Sequence, residues 1–201
     1  MNTLYPVDPK VDVVELLQHY FSISTEGEKF LDFNKIVGPM PESLYCHCTP
    51  YPKVSFGDGR TARKGDVLVL PPTFDSETAK RVMEENRHKH GFFSWYDWRL
   101  ANWRTKWNSY DLQLPHKEER GDWSQMHSGS PCVTFSTAYT APLPIVVELA
   151  KLCGVDLSLH ACEPCAGFEE RLTAYADERD SDYVFINLDG CNNGDDQTTA
   201  S

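Results

Sequence analysis

Two short cysteine motifs carry the sharpest chemical signal in this chain: Cys46-His47-Cys48 and Cys162-Glu163-Pro164-Cys165. A Cys-x-x-Cys turn lets two thiolates reach one tetrahedral zinc ion, and a second pair alongside completes a structural site. Cys46, Cys48, Cys162 and Cys165 are therefore the candidate metal ligands, with His47 or His160 as substitutes. More than half the chain separates the pairs, so only the fold can bring them together. The Cys-x-Cys side chains converge in a turn and diverge on a strand. The competing reading is four partly buried thiols that hold no metal. Seven cysteines, an odd number, argue against a disulfide framework. A thioredoxin-like redox pair needs a βαβ unit around the motif, and none is legible there.

Other constellations are weaker. Glu163, Glu169 and Glu170, with the run Asp177 to Asp182, cluster on a polar turn. Acid–base catalysis needs surroundings that push carboxyl pKa values apart, and a solvated turn keeps them alike. Ser128-Gly129-Ser130 lacks the nucleophile elbow, and the seven histidines are scattered. Gly57-Asp58-Gly59 is a turn signal, and His88 and His90 end a charged helix where the dipole favours them. With no catalytic arrangement in view, the expectation is a non-enzymatic protein.

Gly91 to Asp111 holds four of the five tryptophans. Such rings bury large apolar areas, while each indole N–H still seeks an acceptor. The spacing predicts a helical stripe with Tyr96, Leu100, Trp103 and Trp107 inward. Asp97, Arg99 and Lys106 then remain at the surface, with Asp97–Arg99 and Asp111–Arg104 as candidate ion pairs. The same segment, 87–107, is the basis of an alternative. Arg87, Lys89, Arg99, Arg104 and Lys106 against Asp97 form a basic, aromatic stretch of the kind on which single-stranded bases stack.

Charge divides along the chain. The formal net charge is −11, and residues 162–201 contribute ten acidic side chains against Arg171 and Arg179. Binding of nucleic acid by the whole surface is disfavoured by that balance. The acidic region could instead occupy a basic protein surface. Trp95, Asp97, Trp98, Arg99, Arg104 and Lys106, with Asp177, Glu178, Asp180 and Asp182, are the candidate partner-binding residues.

Positioning these groups takes a single domain of 201 residues, 40% hydrophobic and 12% aromatic, enough for a real core. No apolar run approaches a membrane span, and the opening residues lack the regions of a signal peptide. The expected setting is cytoplasmic. Val11 to Phe21 predicts a short helix, and Phe30 to Val37 an interrupted strand. Residues 38–74 form an irregular excursion. A charged helix is expected over 76–90 and strands over Tyr110–Leu114 and Cys132–Tyr139. Residues 116–130 read as a loop. A helix from Leu143 to Leu152 stops at Gly154, and strands follow at Val155–His160, Phe168–Tyr175 and Tyr183–Ile186. Residues 192–201 are expected to fray. This order predicts an α+β fold, an antiparallel sheet with helices on one face.

Leu31-Asp32-Phe33-Asn34-Lys35-Ile36-Val37-Gly38-Pro39-Met40-Pro41-Glu42, Trp95-Tyr96-Asp97-Trp98-Arg99 and Asn102-Trp103-Arg104-Thr105-Lys106-Trp107-Asn108 together resemble blocks of the Api92-like family, also called the YubB group. Phe135 to Pro144 is similar to its third block, and Gly167-Phe168 to the pair before its last hairpin. The resemblance implies a ferredoxin-like domain and a setting in phages, prophages and plasmids. It brings no catalytic residue. The family's opening strand with Trp-Cys-Asn is not found here, and Arg104 stands where glycine is usual. The resulting expectation is an accessory protein of a phage or other mobile element. It binds a host protein in the bacterial cytoplasm, with inhibition of a defence system such as CRISPR as the specific form. The alternatives are a nucleic-acid-binding module on 87–107 and a zinc-stabilised domain.

Overall fold

The computed structural model describes residues 1–45, 76–115, 132–163, 167–177 and 179–187. Its central strand is one the sequence hid: β1, Asn2–Pro6, short and closed by proline. β1 pairs antiparallel with β5 (Val133–Ser136) on one side and β6 (Leu157–Glu163) on the other. β4 (Tyr110–Gln113) lies beyond β5, while β7 (Phe168–Ala174) and β8 (Asp182–Asn187) extend the sheet past β6. The six-stranded order is β4-β5-β1-β6-β7-β8, with every neighbouring pair antiparallel. The unit β1, helices, β4, β5, helix, β6 is the ferredoxin-like split arrangement, with β7 and β8 added at one edge. The α+β expectation is met.

Alternation decides which face is covered. Leu4, Val133, Phe135, Leu157, Leu159, Ala161, Leu172 and Ala174 are buried and lie in one phase of their strands. Thr3, Thr134, Ser158, His160 and Thr173 occupy the other phase, so helices cover one face and polar side chains the other. The covering helices are α1 (Val13–Leu17), α2 (Phe33–Val37), α4 (Trp95–Trp103) and α5 (Leu143–Cys153). α5 rests on β6 and β7, and α2 and α4 pack against it. Each fully buried Leu or Ile in this cluster stabilises the fold by about 1.5–3 kcal/mol.

Local chemistry sets the ends. Asp12 caps α1 by accepting from the Val14 and Glu15 amides, and a 3-10 turn over Gln18–Tyr20 delivers Phe21 into β2. β2 (Phe21–Ile23) and β3 (Lys29–Leu31) form a small hairpin. The strand expected over Phe30 to Val37 is wrong beyond Leu31. Asp32 accepts from the Asn34 amide and starts α2, and such a capping bond favours helix over extended chain. α3, Ser76–His90, ends at Gly91 as its pattern implied. α5 ends at Gly154, whose φ of 64° is left-handed and accepted without a Cβ penalty. Within the 38–74 excursion, Glu42–Tyr45 form a 3-10 turn with Leu44 buried; residues 46–74, the 116–130 loop and the 192–201 tail lie outside the described residues. Among the described residues no helix is long and apolar enough to cross a membrane.

Candidate functional site

Of the stripe that spacing suggested on the tryptophan helix, Trp103 faces inward as expected, but Leu100 is exposed and Trp98 and Arg99 are buried instead. Trp103 is fully buried and Trp98 nearly so, their rings edge-on at 5.7 Å, while Phe33 meets Trp103 at 5.6 Å. Between them Arg99 is 1% exposed. Its guanidinium lies over Trp95 at 5.2 Å and Trp103 at 4.8 Å, and its Nη1 donates to the Lys106 carbonyl at 3.0 Å. Aromatic faces and a carbonyl make a buried guanidinium tolerable, because delocalised charge is weakly hydrated. Arg99, expected outside, is therefore inside. Leu100, expected inside, is 39% exposed. Trp98 and Arg99 are thereby withdrawn from the partner-binding set, and the basic segment 87–107 loses a central cation. Arg87 also stacks on Phe93, at 4.9 Å.

α4 ends at Arg104, whose backbone is left-handed with φ 63°. This explains why glycine suits the position: a side chain there costs about 1 kcal/mol. The Arg104 side chain runs to β7, not to Asp111, and places Nη1 2.7 Å from Glu170 Oε1. The Tyr183 hydroxyl on β8 donates to the same carboxylate at 2.6 Å, and Arg104 Nη2 donates to that hydroxyl at 3.4 Å. Glu170 Oε2 accepts from the Ala141 amide at 3.1 Å, which ties in the turn between β5 and α5. Glu170 itself is 2% exposed. Burial alone lowers the Arg104 pKa, but hydrogen bonds to Tyr183 and Glu170 outweigh it, so the guanidinium is raised. Burial and the Glu170 hydrogen bond raise the Tyr183 phenol, with Arg104 working against them.

Around this ion pair lies a ledge of exposed rings. Tyr139 is 70% exposed and left-handed, with φ 71°. Non-glycine residues in that region are uncommon and cluster at functional sites. The turn that carries it is held from below. Thr140 donates to the Arg104 carbonyl, Thr105 to the Ala138 carbonyl at 2.9 Å, and Thr137 to the Thr140 carbonyl at 2.7 Å. Lys106 Nζ sits 4.7 Å from the Tyr139 ring and 5.4 Å from Tyr96. Phe185 stacks on Phe168 at 5.9 Å, and a shallow depression between Tyr139 and Phe168 is floored by Asn2, Thr137 and Ala161.

Of the remaining candidates, Trp95 and Asp97 are half-buried on α4. Asp177, Asp180 and Asp182 are exposed at the β7–β8 turn, and Glu178 lies outside the described residues. Asp177 pairs with Arg179 at 3.1 Å, and Asp182 accepts from the Tyr175 hydroxyl at 2.5 Å. Cys162 stands on β6 opposite Glu169; Cys46, Cys48 and Cys165 lie outside the described residues. Among the described residues no group of three or more His, Cys, Asp or Glu could hold a metal.

Tyr139 and Tyr183 were missing from the candidates read in the sequence, and Glu170 was set aside there as part of a solvated turn, whereas it lies inside β7 and is 2% exposed. A signal existed for Glu170: it shares the phase of Leu172 and Ala174, so it falls on the buried side of β7. The chain matches no family model, no curated protein and no solved structure.

Proposed function

We propose that this chain is a non-enzymatic accessory protein that binds a partner protein through the ledge around Arg104 and Glu170. The supporting observation is Tyr139, a large ring held 70% exposed on a left-handed backbone that three threonine hydroxyls brace. Tyr and Arg dominate the energetics of protein interfaces, and rigid rings bind with little loss of conformational entropy. Tyr183, Phe185 and Lys106 extend the same ledge, and the acidic turn lies at the end of β8 where that strand begins.

The Api92-like resemblance supports a setting in a phage or other mobile element. The partner is then a host bacterial protein in the cytoplasm, and a defence complex such as CRISPR is its specific form. Affinity capture from nuclease-treated bacterial lysate tests this reading. One stoichiometric companion on the wild-type chain, lost with Tyr139→Ala, is the expected result; equal capture by both chains moves the contact elsewhere. Inhibition assays with purified CRISPR and restriction complexes test the defence form, and no inhibition counts against it.

A further inference from the structure

We propose that β8 is a docking edge that receives an extended, basic segment of a partner protein as an added strand. The proposal rests on the partner-binding reading and names how that partner is held.

The two edges of the sheet are built differently. Natural edge strands are blunted by charges, prolines or bulges, because an open row of backbone donors and acceptors recruits other chains. The β4 edge shows such blunting. Its pairing with β5 shifts register between Tyr110 and Gln113, and Asp111 there has φ 52°. β8 shows no register shift and no proline, and its one charge, Asp182, stands at its first residue. Its pairing with β7 runs unbroken from Phe168↔Asn187 to Thr173↔Asp182. Its interior, Tyr183-Val184-Phe185-Ile186, carries no charge and no proline. Three consecutive residues are open, Tyr183 at 44%, Val184 at 51% and Phe185 at 54%. Among the described residues no strand covers the outer side of β8.

An exposed apolar edge is a liability unless something pairs with it. Here it is also stiffened in advance. Tyr183 is fixed by its bond to Glu170, and Phe185 by its stack on Phe168. A partner strand thus meets side chains that have little freedom left to lose. Tyr183 and Phe185 offer rings on the helix-bearing side and Val184 and Ile186 offer aliphatic groups on the other, so both faces of an added strand find neighbours.

Charge selects the occupant. Asp180 and Asp182 stand exposed at the start of the strand, and Asp180 has no ion-pair partner among the described residues. The whole chain carries a formal −11. Two copies, or a nucleic acid, meet that charge with their own of the same sign. An extended segment alternating Lys or Arg with aliphatic residues meets it with the opposite sign.

The test is a titration of the full chain with a synthetic peptide of alternating Lys and Val. A second peptide carries N-methyl groups on alternate backbone amides, and a third carries Asp for Lys. Strand addition predicts saturable binding of the first, weakened about tenfold or more by loss of its backbone donors. The acidic peptide should not bind. Val184→Lys and Phe185→Lys, both at exposed sites, should weaken the first peptide about tenfold while circular dichroism stays unchanged. The proposal is overturned if the Lys-Val peptide does not bind, or if its N-methylated form binds equally well. Unchanged binding by both β8 variants overturns it too, as does displacement of the peptide by a second copy or by single-stranded DNA. Lysate capture separates the two readings. A companion retained by Val184→Lys refutes strand addition and leaves partner binding intact. Peptide binding without any captured companion refutes the partner reading and leaves the edge intact.

Discussion

Arg104 joins the left-handed end of α4 to the buried phase of β7: its Nη1 lies 2.7 Å from Glu170 Oε1. One carboxylate thereby holds three pieces of chain together, the α4 terminus, the β5–α5 turn through the Ala141 amide, and β8 through Tyr183. The backbone strain at Arg104 is retained because the side chain that causes it also makes the pair.

That coupling predicts an ordering of variants. Glu170→Ala leaves the Ala141 amide and Arg104 without their acceptor and should cost about 2–3 kcal/mol, less than a wholly buried pair because Arg104 is 35% exposed. Arg104→Gly relieves the left-handed backbone, whereas Arg104→Ala keeps it, so glycine should be more stable than alanine by about 1 kcal/mol. Urea denaturation of the three variants checks the ordering. Equal stability of the glycine and alanine variants would remove the strain argument.

The orientation of α4 gives a second prediction. Trp103 is fully buried against Trp98 and Phe33, so Trp103→Ala should cost about 3–5 kcal/mol. Its Nε1 finds no acceptor among the described residues, which offsets part of what the ring contributes. Leu100→Ala, at a 39% exposed position, should change stability by no more than about 0.5 kcal/mol. Thermal unfolding of the Leu100 variant decides which stripe faces the core, and that of the Trp103 variant gauges how much the ring contributes. A large loss at Leu100 would restore the face that helical spacing alone suggests.

The elements legible in the sequence were those whose pattern had one physical reading. Leu143 to Cys153, with proline at the start and Gly154 at the end, reads as a helix, and Phe168 to Ala174 alternates apart from Glu170. β1 was hidden because its inward phase, Asn2, Leu4 and Pro6, holds a single aliphatic side chain, and its strand partners lie far along the chain. Asp32 was hidden because a capping carboxylate looks like a polar break in a strand. Arg99 was misplaced because composition assigns arginine to solvent, whereas the Trp95 and Trp103 faces and the Lys106 carbonyl, brought together by the fold, make its burial tolerable. The same holds for the site. Lys106 and Arg104 were legible as basic residues beside rings, but their partners Tyr139 and Glu170 come from elements 33 and 66 residues onward.

Alkaline pH should loosen the β8 edge. The Tyr183 phenol is raised by burial and by its bond to Glu170. A raised folded-state pKa means that the neutral phenol is favoured in the fold. Its contribution is fully present below the unfolded tyrosine value of about 10, and is lost as pH rises through the raised value. Wild-type stability should therefore fall more steeply above that range than that of Tyr183→Phe, which has no proton to lose. Denaturation midpoints for both chains across the alkaline range check the sign. Parallel curves would show that the hydroxyl has no part in the fold.

Thiol chemistry supplies the last prediction. Burial pushes up the Cys132 thiol and the Cys153 thiol, the latter despite a hydrogen bond with Tyr20 that works the other way. The thiolate is the reactive form, so both should be alkylated slowly at neutral pH in the native chain and rapidly in denaturant. Cys162 is half-buried, as Cys153 is, but it lies on the end of β6 and lines the depression under Tyr139. It should be labelled first of the three, as read by peptide mass spectrometry over a time course of iodoacetamide treatment. The same experiment bears on zinc, because a bound metal protects its thiolates until a chelator removes it. Cys162 labelling that accelerates with chelator, together with that of Cys46, Cys48 and Cys165, would make the two motifs one site. Labelling of Cys162 that ignores the chelator leaves it a free thiol beside the Tyr139 ledge.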